Sequence, residues 1–341
     1  MTQHAGALAV AVSGGGDSIA LMHLLAAYAK ARKRKPPIVL TVDHGLRKSS
    51  ARDAKQVVAW AKKTGLTAHV LTWRGPKPQS GIEAAAREAR YRLMGAWLTR
   101  HKVATLYVGH TIDDQAETFL LRLARGSGLD GLAAMRAVAP WPVAGFAGLS
   151  VARPLLGMGR SDLRAYLEAR GQDWLDDPMN ENEAFDRVKI RRAQTMLADL
   201  GLTAPRLAAA ASHLARARAA LEGMTEAILA RATKPLSDKP YKGQTGLLLA
   251  PGVLAAAPRE VGLRALAALL MAVSEQGYRP RFDALERLFD RIVTGTLDRG
   301  ATLHGCRIGP APKAGAEFTL LVGREKPRKT AGSLKKATPV R

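Results

Sequence analysis

Residues 7–35, ALAVAVSGGGDSIALMHLLAAYAKARKRK, read in three parts. A short apolar run ends in a glycine-rich loop, and a stretch with helical spacing and a basic end follows, which predicts strand, loop and helix in that order. Glycine lets the backbone approach another group closely, consecutive N–H groups converge on phosphate oxygens, and the positive end of the next helix adds to their pull. Ser13, Gly14, Gly15, Gly16 and Ser18 are therefore candidate ligands of a pyrophosphate, the two hydroxyls donating beside the backbone. Asp17 is a poor direct partner for phosphate and is better suited to a Mg2+ ion. A flexible strand-to-helix turn with Ser and Asp capping is the plainer alternative.

Outward from this loop the alternation continues. Apolar runs at 38–42, 68–73 and 103–109 are separated by helical spacing near 50–64 and 83–99. Further helical signal in DQAETFLLRLARG, a strand in LSVARPLL and a helix near 161–170 extend it. The order predicts an α/β fold, a mostly parallel sheet with flanking helices. We place a first domain at 1–205, then a mainly helical domain at 206–323 with short terminal strands near ATLHGCRIG and EFTLLVG. A basic tail, 324–341, is low in bulky apolar residues and expected to be disordered.

Composition limits what such a fold does. Fifty-two Lys and Arg against 29 Asp and Glu leave a net charge of +23 on 341 residues, which points to a polyanion such as nucleic acid or an anionic membrane. Aromatic residues make up 5%, too few for an interface built mainly on stacked bases, so the charge is expected to act through phosphates. The one cysteine, Cys306, excludes an intramolecular disulfide and a four-cysteine zinc site. No uninterrupted apolar run reaches the roughly 18–20 residues of a membrane span, and no basic leader precedes the first apolar run, so a cytoplasmic location without a membrane partner is expected. Gly-Lys-Ser and Gly-Lys-Thr are both absent, which disfavours a Walker A loop. A formal G-x-G-x-x-G at 126–131 follows a helical run rather than a strand and is not read as a dinucleotide site.

The SGGGDS loop resembles that of the PP-loop ATP pyrophosphatases, which commonly bind ATP there and activate an oxygen by adenylation. VDHGLR at 42–47, GIEAAAREARY at 81–91, GHTIDDQAETFLLRLARGSGLDGL at 109–132, RPLL at 153–156 and WLDDPMNENEAFDRVKIR at 174–191 narrow the resemblance to the tRNA(Ile)-lysidine synthetases. The resemblance covers roughly the first 200 residues and no comparably sharp motif lies beyond. It implies ligation of L-lysine to C2 of the first anticodon cytidine in a tRNA(Ile) with a CAU anticodon, with ATP as substrate and Mg2+ as its companion. The C2 oxygen would attack the α-phosphate, pyrophosphate would leave, and the lysine nitrogen would then displace AMP.

Several residues acquire expected roles. Asp114 and Glu117 are three positions apart on a predicted helix, on neighbouring turns, so they either converge on one cation or form a solvated acidic helix start. The resemblance assigns them to the lysine amino group and makes Asp17 the first choice for Mg-ATP. It also places Asp43 and His44 near ATP, and His110 at the substrate; His110, Asp113, Asp114 and Glu117 do not have a zinc spacing. Arg87 either meets phosphate or pairs within its helix with Glu83, and Arg153, at a predicted strand exit, either faces the nucleotide or is a surface charge. Asp177 and Asn180 are expected to organise the active cleft, with Lys189 and Arg191 on the substrate. There FDRVKIR departs from the usual FxRNRIR at Val188 and Lys189, and lysine lacks the planar fork of arginine. Arg216, Arg218, Arg231, Lys234, Lys239 and Lys242 are candidate tRNA contacts. Base thiolation through the same adenylation, an ammonia-dependent nucleotide amidation and tRNA binding without catalysis are the rivals; motif order disfavours amidation, and a lone Cys306 supplies no cysteine pair for sulfur transfer.

Overall fold

The computed structural model describes residues 7–176, 186–236, 246–311 and 316–325. They fall into two compact units, 1–216 and 217–341. The first contains strands β1 (Ala9–Ala11), β2 (Ile38–Asp43), β3 (Ala68–Thr72), β4 (Thr105–Tyr107), β5 (Val138–Pro140) and β6 (Ser150–Ala152) in one sheet, ordered β3-β2-β1-β4-β6-β5. All neighbours run parallel except β5, which pairs antiparallel with β6 at the edge, Ala139 opposite Val151.

Alternate residues of each strand feed opposite faces, as the two-residue period of a strand requires. Val10, Val12 and Val39 pack with Ile19, Leu21, Met22 and Leu25 of α1 (Gly16–Ala31), Val57 and Ala61 of α2 (Ser50–Lys63), and Leu163 and Leu167 of α6 (Arg160–Glu168). Ala9 and Leu40 pack the other way, against Tyr91, Met94, Trp97 and Leu98 of α3 (Ile82–Arg100). The sheet is thus buried on both faces, which is why its central strands read as near-continuous apolar runs. β1 has β2 on one side and β4 on the other, so the strand order reverses beside it. In open parallel sheets this reversal parts the carboxyl ends of neighbouring strands and leaves a crevice for a ligand. The glycine loop follows β1 at that place, and α4 (Ile112–Ala124) and α5 (Leu129–Leu132) follow β4. The formal G-x-G-x-x-G follows α4 and runs into α5, away from any strand end.

Helix α7 (Asp186–Asp199) precedes α8 (Ala204–Ala232), in which the division between the units falls. The second unit adds α9 (Pro251–Ala255), α10 (Arg259–Ser274) and α11 (Phe282–Val293) to a five-stranded antiparallel sheet. Its strands, β7 (Thr233–Pro235), β8 (Gly246–Leu249), β9 (Ala301–Leu303), β10 (Cys306–Pro310) and β11 (Leu320–Arg324), are ordered β7-β8-β11-β10-β9. The last three match the strands expected from sequence, while β7 and β8 were not anticipated; β11 includes Arg324, the residue at which the tail was expected to begin. Residues 326–341, Lys239 and Lys242 lie outside the described residues. Cys306 is fully buried here, its thiol donating to the carbonyl of Leu270 at 3.3 Å.

Candidate active site

The SGGGDS loop closes on itself through its own hydroxyls. Ser18 Oγ donates to Gly15 O at 2.8 Å and accepts from Ser13 N at 3.2 Å, so Ser18 shapes the loop as well as lining the cleft. Gly14 has φ +100°, and a Cβ there would lie 2.6 Å from Leu175. Leu175 N donates to Gly14 O at 2.9 Å, tying the WLD segment across the loop. Gly109, at the exit of β4, approaches from the other side. A Cβ on it would meet the carbonyl oxygen of Asp17 at 2.9 Å, so only glycine lets the exit of β4 come this close to the first turn of α1.

This contact sets the acidic helix beside the loop. Thr111 caps α4: Asp114 Oδ2 accepts from Thr111 N at 2.8 Å, and Thr111 Oγ1 accepts from Asp114 N at 3.4 Å, a reciprocal capping box. The cap fixes one carboxylate oxygen and leaves the other, Oδ1, turned into the cleft. One turn on, Glu117 is fully buried. Both are gathered by a residue that sequence reasoning missed. The guanidinium of Arg160 lies 3.4 Å from Asp114 Oδ1, 3.3 Å from Glu117 Oε1 and 3.3 Å from Asp17 Oδ2. Its backbone N–H donates to Asp113 Oδ2 at 2.8 Å. Burial opposes the charge of Arg160, yet Glu117, Asp114 and Asp17 together hold its pKa above the usual arginine value. Asp17 is shifted upward, by burial first, with Asp114 and Asp113 adding and Arg160 opposing. The signal for Arg160 was present in the sequence as a cation at the first position of a helix, where the dipole disfavours it unless carboxylates face it.

The cleft encloses about 780 Å³ and is lined by the loop, by Thr41 and Val42 near the end of β2 and His44 just after it, and by Arg90, His110, Asp114 and Arg160. Burial lowers His44 to about 4, aided by Arg90 and Lys77. His110 is lowered to about 4 in the same way, with Arg153, Arg87 and Arg90 adding and Asp114 opposing. Both are neutral at pH 7, and among the described residues neither buried Nδ1 has a hydrogen-bond partner. Asp43 is occupied locally, its Oδ1 accepting from Gly45 N at 3.0 Å and from the Ser50 hydroxyl.

The remaining sequence candidates are placed less uniformly. Arg87 is exposed on α3, over Tyr91 at 5.1 Å, and Arg90, one turn on, is the arginine of that helix which lines the cleft. Arg153 follows β6 and donates to Arg136 O at 3.0 Å, with its buried Nε unpartnered. Lys189 is exposed on α7; Arg191 belongs to the same helix, but its side chain, like Asp177 and Asn180, lies outside the described residues. Arg216, Arg231 and Lys234 are exposed, whereas Arg218 is mostly covered and pairs with Glu222 at 3.7 Å. Among the described residues no three His, Cys, Asp or Glu side chains form a metal cage. Asp17 nevertheless fits Mg2+, which commonly takes one or two carboxylates and completes its shell with phosphate and water.

The PP-loop domain family matches residues 2–197. A tRNA(Ile)-lysidine synthase of Ruegeria pomeroyi is 40% identical over 301 residues, covering 88% of this chain and 68% of that protein. One from Bradyrhizobium sp. strain BTAi1 is 40% identical over 306 residues, covering 88% and 84%. Among solved structures, a U34-tRNA thiolase from Methanococcus maripaludis aligns with a TM-score of 0.50 at 14% identity, over 61% of this chain and 72% of that one, a likeness of fold. With the loop at the strand reversal, the capped acidic helix beside it and relatives this similar over most of their length, the chain belongs to the tRNA(Ile)-lysidine synthase family of PP-loop proteins.

Proposed function

We propose that the protein converts the first anticodon cytidine of a CAU-anticodon tRNA(Ile) into lysidine, using ATP and L-lysine. The observation that carries this reading is the acidic pair Asp114 and Glu117, held around a long basic side chain within one hydrogen bond of the glycine loop's Asp17. Phosphate attraction and cation recognition then stand side by side, which an adenylation followed by amine attack requires.

In the proposed reaction the loop backbone and the start of α1 hold the ATP phosphates while the cytidine C2 oxygen attacks the α-phosphate, and the bond to pyrophosphate breaks. Asp17 would hold Mg2+, which when bound neutralises phosphate charge. Asp114 and Glu117 receive the lysine ammonium and orient its nitrogen; after loss of a proton that nitrogen bonds to C2, and the C2–O bond breaks to release AMP. His44 and His110 border the nucleotide and base as neutral hydrogen-bonding groups, and Arg87 and Arg153 contribute positive field at the substrate phosphates. Asp177 and Asn180 organise the cleft, and Lys189 and Arg191 contact the tRNA. The exposed cations Arg216, Arg231 and Lys234 extend the phosphate-binding surface along the chain.

Incubating the tRNA transcript with Mg-ATP and labelled lysine, then analysing nucleosides, AMP and pyrophosphate, tests the reading. Lysidine, AMP and pyrophosphate are expected in equal amounts; no labelled nucleoside beside an active control would reject it. Asp17→Ala is expected to abolish product while leaving tRNA retention on filters intact.

A further inference from the structure

The position that the lysine ammonium is proposed to take is already filled. Arg160, which lines the cleft, donates to Asp114 Oδ1 and to Oε1 of the fully buried Glu117 behind it, and the same planar head also meets Asp17 Oδ2. Its backbone N–H is tied separately to Asp113, so the head group can turn while the start of the helix stays fixed. Two Arg160 N–H groups meet Glu117 Oε1 and one meets Asp114 Oδ1, and a second cation beside them would be repelled. Lysine therefore competes with the guanidinium for these oxygens and binds more tightly once it has left.

A destination lies within the cleft. Arg160 lines it together with Ser13, Gly15, Gly16 and Ser18, and its contact with Asp17 already brings it to the loop where phosphate is expected. A guanidinium pairs with phosphate oxygens as readily as with carboxylates, through the same parallel N–H groups. We propose that Arg160 is a positioning residue that couples the two small substrates: without nucleotide it occupies the lysine ammonium position, and with nucleotide it turns to phosphate and opens that position. The proposal rests on the lysine reading of Asp114 and Glu117. It makes binding ordered in energy, since nucleotide raises lysine affinity and, by reciprocity, lysine raises nucleotide affinity by the same factor. It also offsets part of the negative charge of the acidic pair when no substrate is present.

Equilibrium dialysis of labelled lysine against the full chain, with and without Mg2+ and α,β-methylene-ATP, tests this. In the wild type the analogue is expected to tighten lysine binding at least tenfold. Arg160→Gln is expected to bind lysine without nucleotide at least tenfold more tightly than the wild type, and to show a nucleotide effect within twofold. Arg160→Lys, which keeps the charge but lacks the planar fork that meets Asp17, Asp114 and Glu117 at once, is expected to fall between; thermal unfolding of each variant shows that it is folded. If Arg160→Gln does not fold, full wild-type coupling in Arg160→Lys overturns the proposal. Unchanged lysine affinity without nucleotide in Arg160→Gln, or undiminished coupling, also overturns it. Glu117→Gln separates the two levels: lysine binding that survives it rejects the acidic-pair reading itself. Binding lost in Glu117→Gln, with Arg160→Gln behaving as wild type, rejects only the role of Arg160.

Discussion

Gly109 is the residue on which the two halves of the site meet. A methyl group there would press on the Asp17 carbonyl at 2.9 Å and the Asp17 carbonyl carbon at 3.0 Å, both backbone atoms with little room to yield. Gly109→Ala is expected to cost about 1–3 kcal/mol of stability by overpacking and about 10²-fold in kcat/KM by misplacing the loop against the acidic helix. Gly128→Ala, which points into open space at ordinary φ, is expected to change neither; thermal unfolding and initial rates of lysidine formation measure both. The two histidines set a pH dependence. Their folded pKa values of about 4 lie below the ordinary histidine value, so their stabilisation is complete above about 6.5 and is lost as pH falls toward 4. We expect about 1–2 kcal/mol lost per histidine over that window, allowing for their partial exposure, and a shallower fall in Tm for His110→Gln. Asp17, raised by burial, has the opposite sign: its share is full below the usual carboxylate range and lost as pH rises through its folded pKa.

Helix α4 shows how far the sequence reaches at the level of elements. Its start, its acidic spacing and its place after a strand are all legible in GHTIDDQAE, because a threonine three residues before an acid is a local signal. The buried Thr111 also does more than begin a helix, since its cap aims Asp114 Oδ1. Thr111→Val is expected to cost about 1 kcal/mol of stability. It should raise the KM for lysine several-fold while leaving that for ATP near its original value, as separate substrate titrations will show; equal increases in both would contradict this division of labour. Non-local features were harder to read. β5 ends in Pro140, a residue tolerated on an edge strand but suggestive of a turn when seen alone. β7 and β8 are three and four residues long, too short for a period to declare itself; β8 pairs with the distant β11, and β7 with β8. The bridge from Arg160 to Glu117 joins residues far apart in sequence, so only the placement of the start of α6 against the start of α4 reveals it.

At the scale of the whole molecule, the net charge of +23 favours association with a large polyanion. Raising salt from 50 to 200 mM is expected to weaken tRNA binding on the order of 10²-fold or more, because phosphate contacts release condensed counterions. The KM for lysine, set by a few buried contacts, should change far less; a comparable salt dependence in both would argue against this separation. The buried thiol has a different consequence. Cys306 has no exposed surface, and its burial pushes its pKa up, so the folded chain offers no thiolate to an alkylating reagent at neutral pH. The native protein is therefore a blank background for maleimide chemistry. A single cysteine introduced on an exposed turn of α6 would carry the only reactive label, and a fluorophore there would report changes beside the cleft in real time.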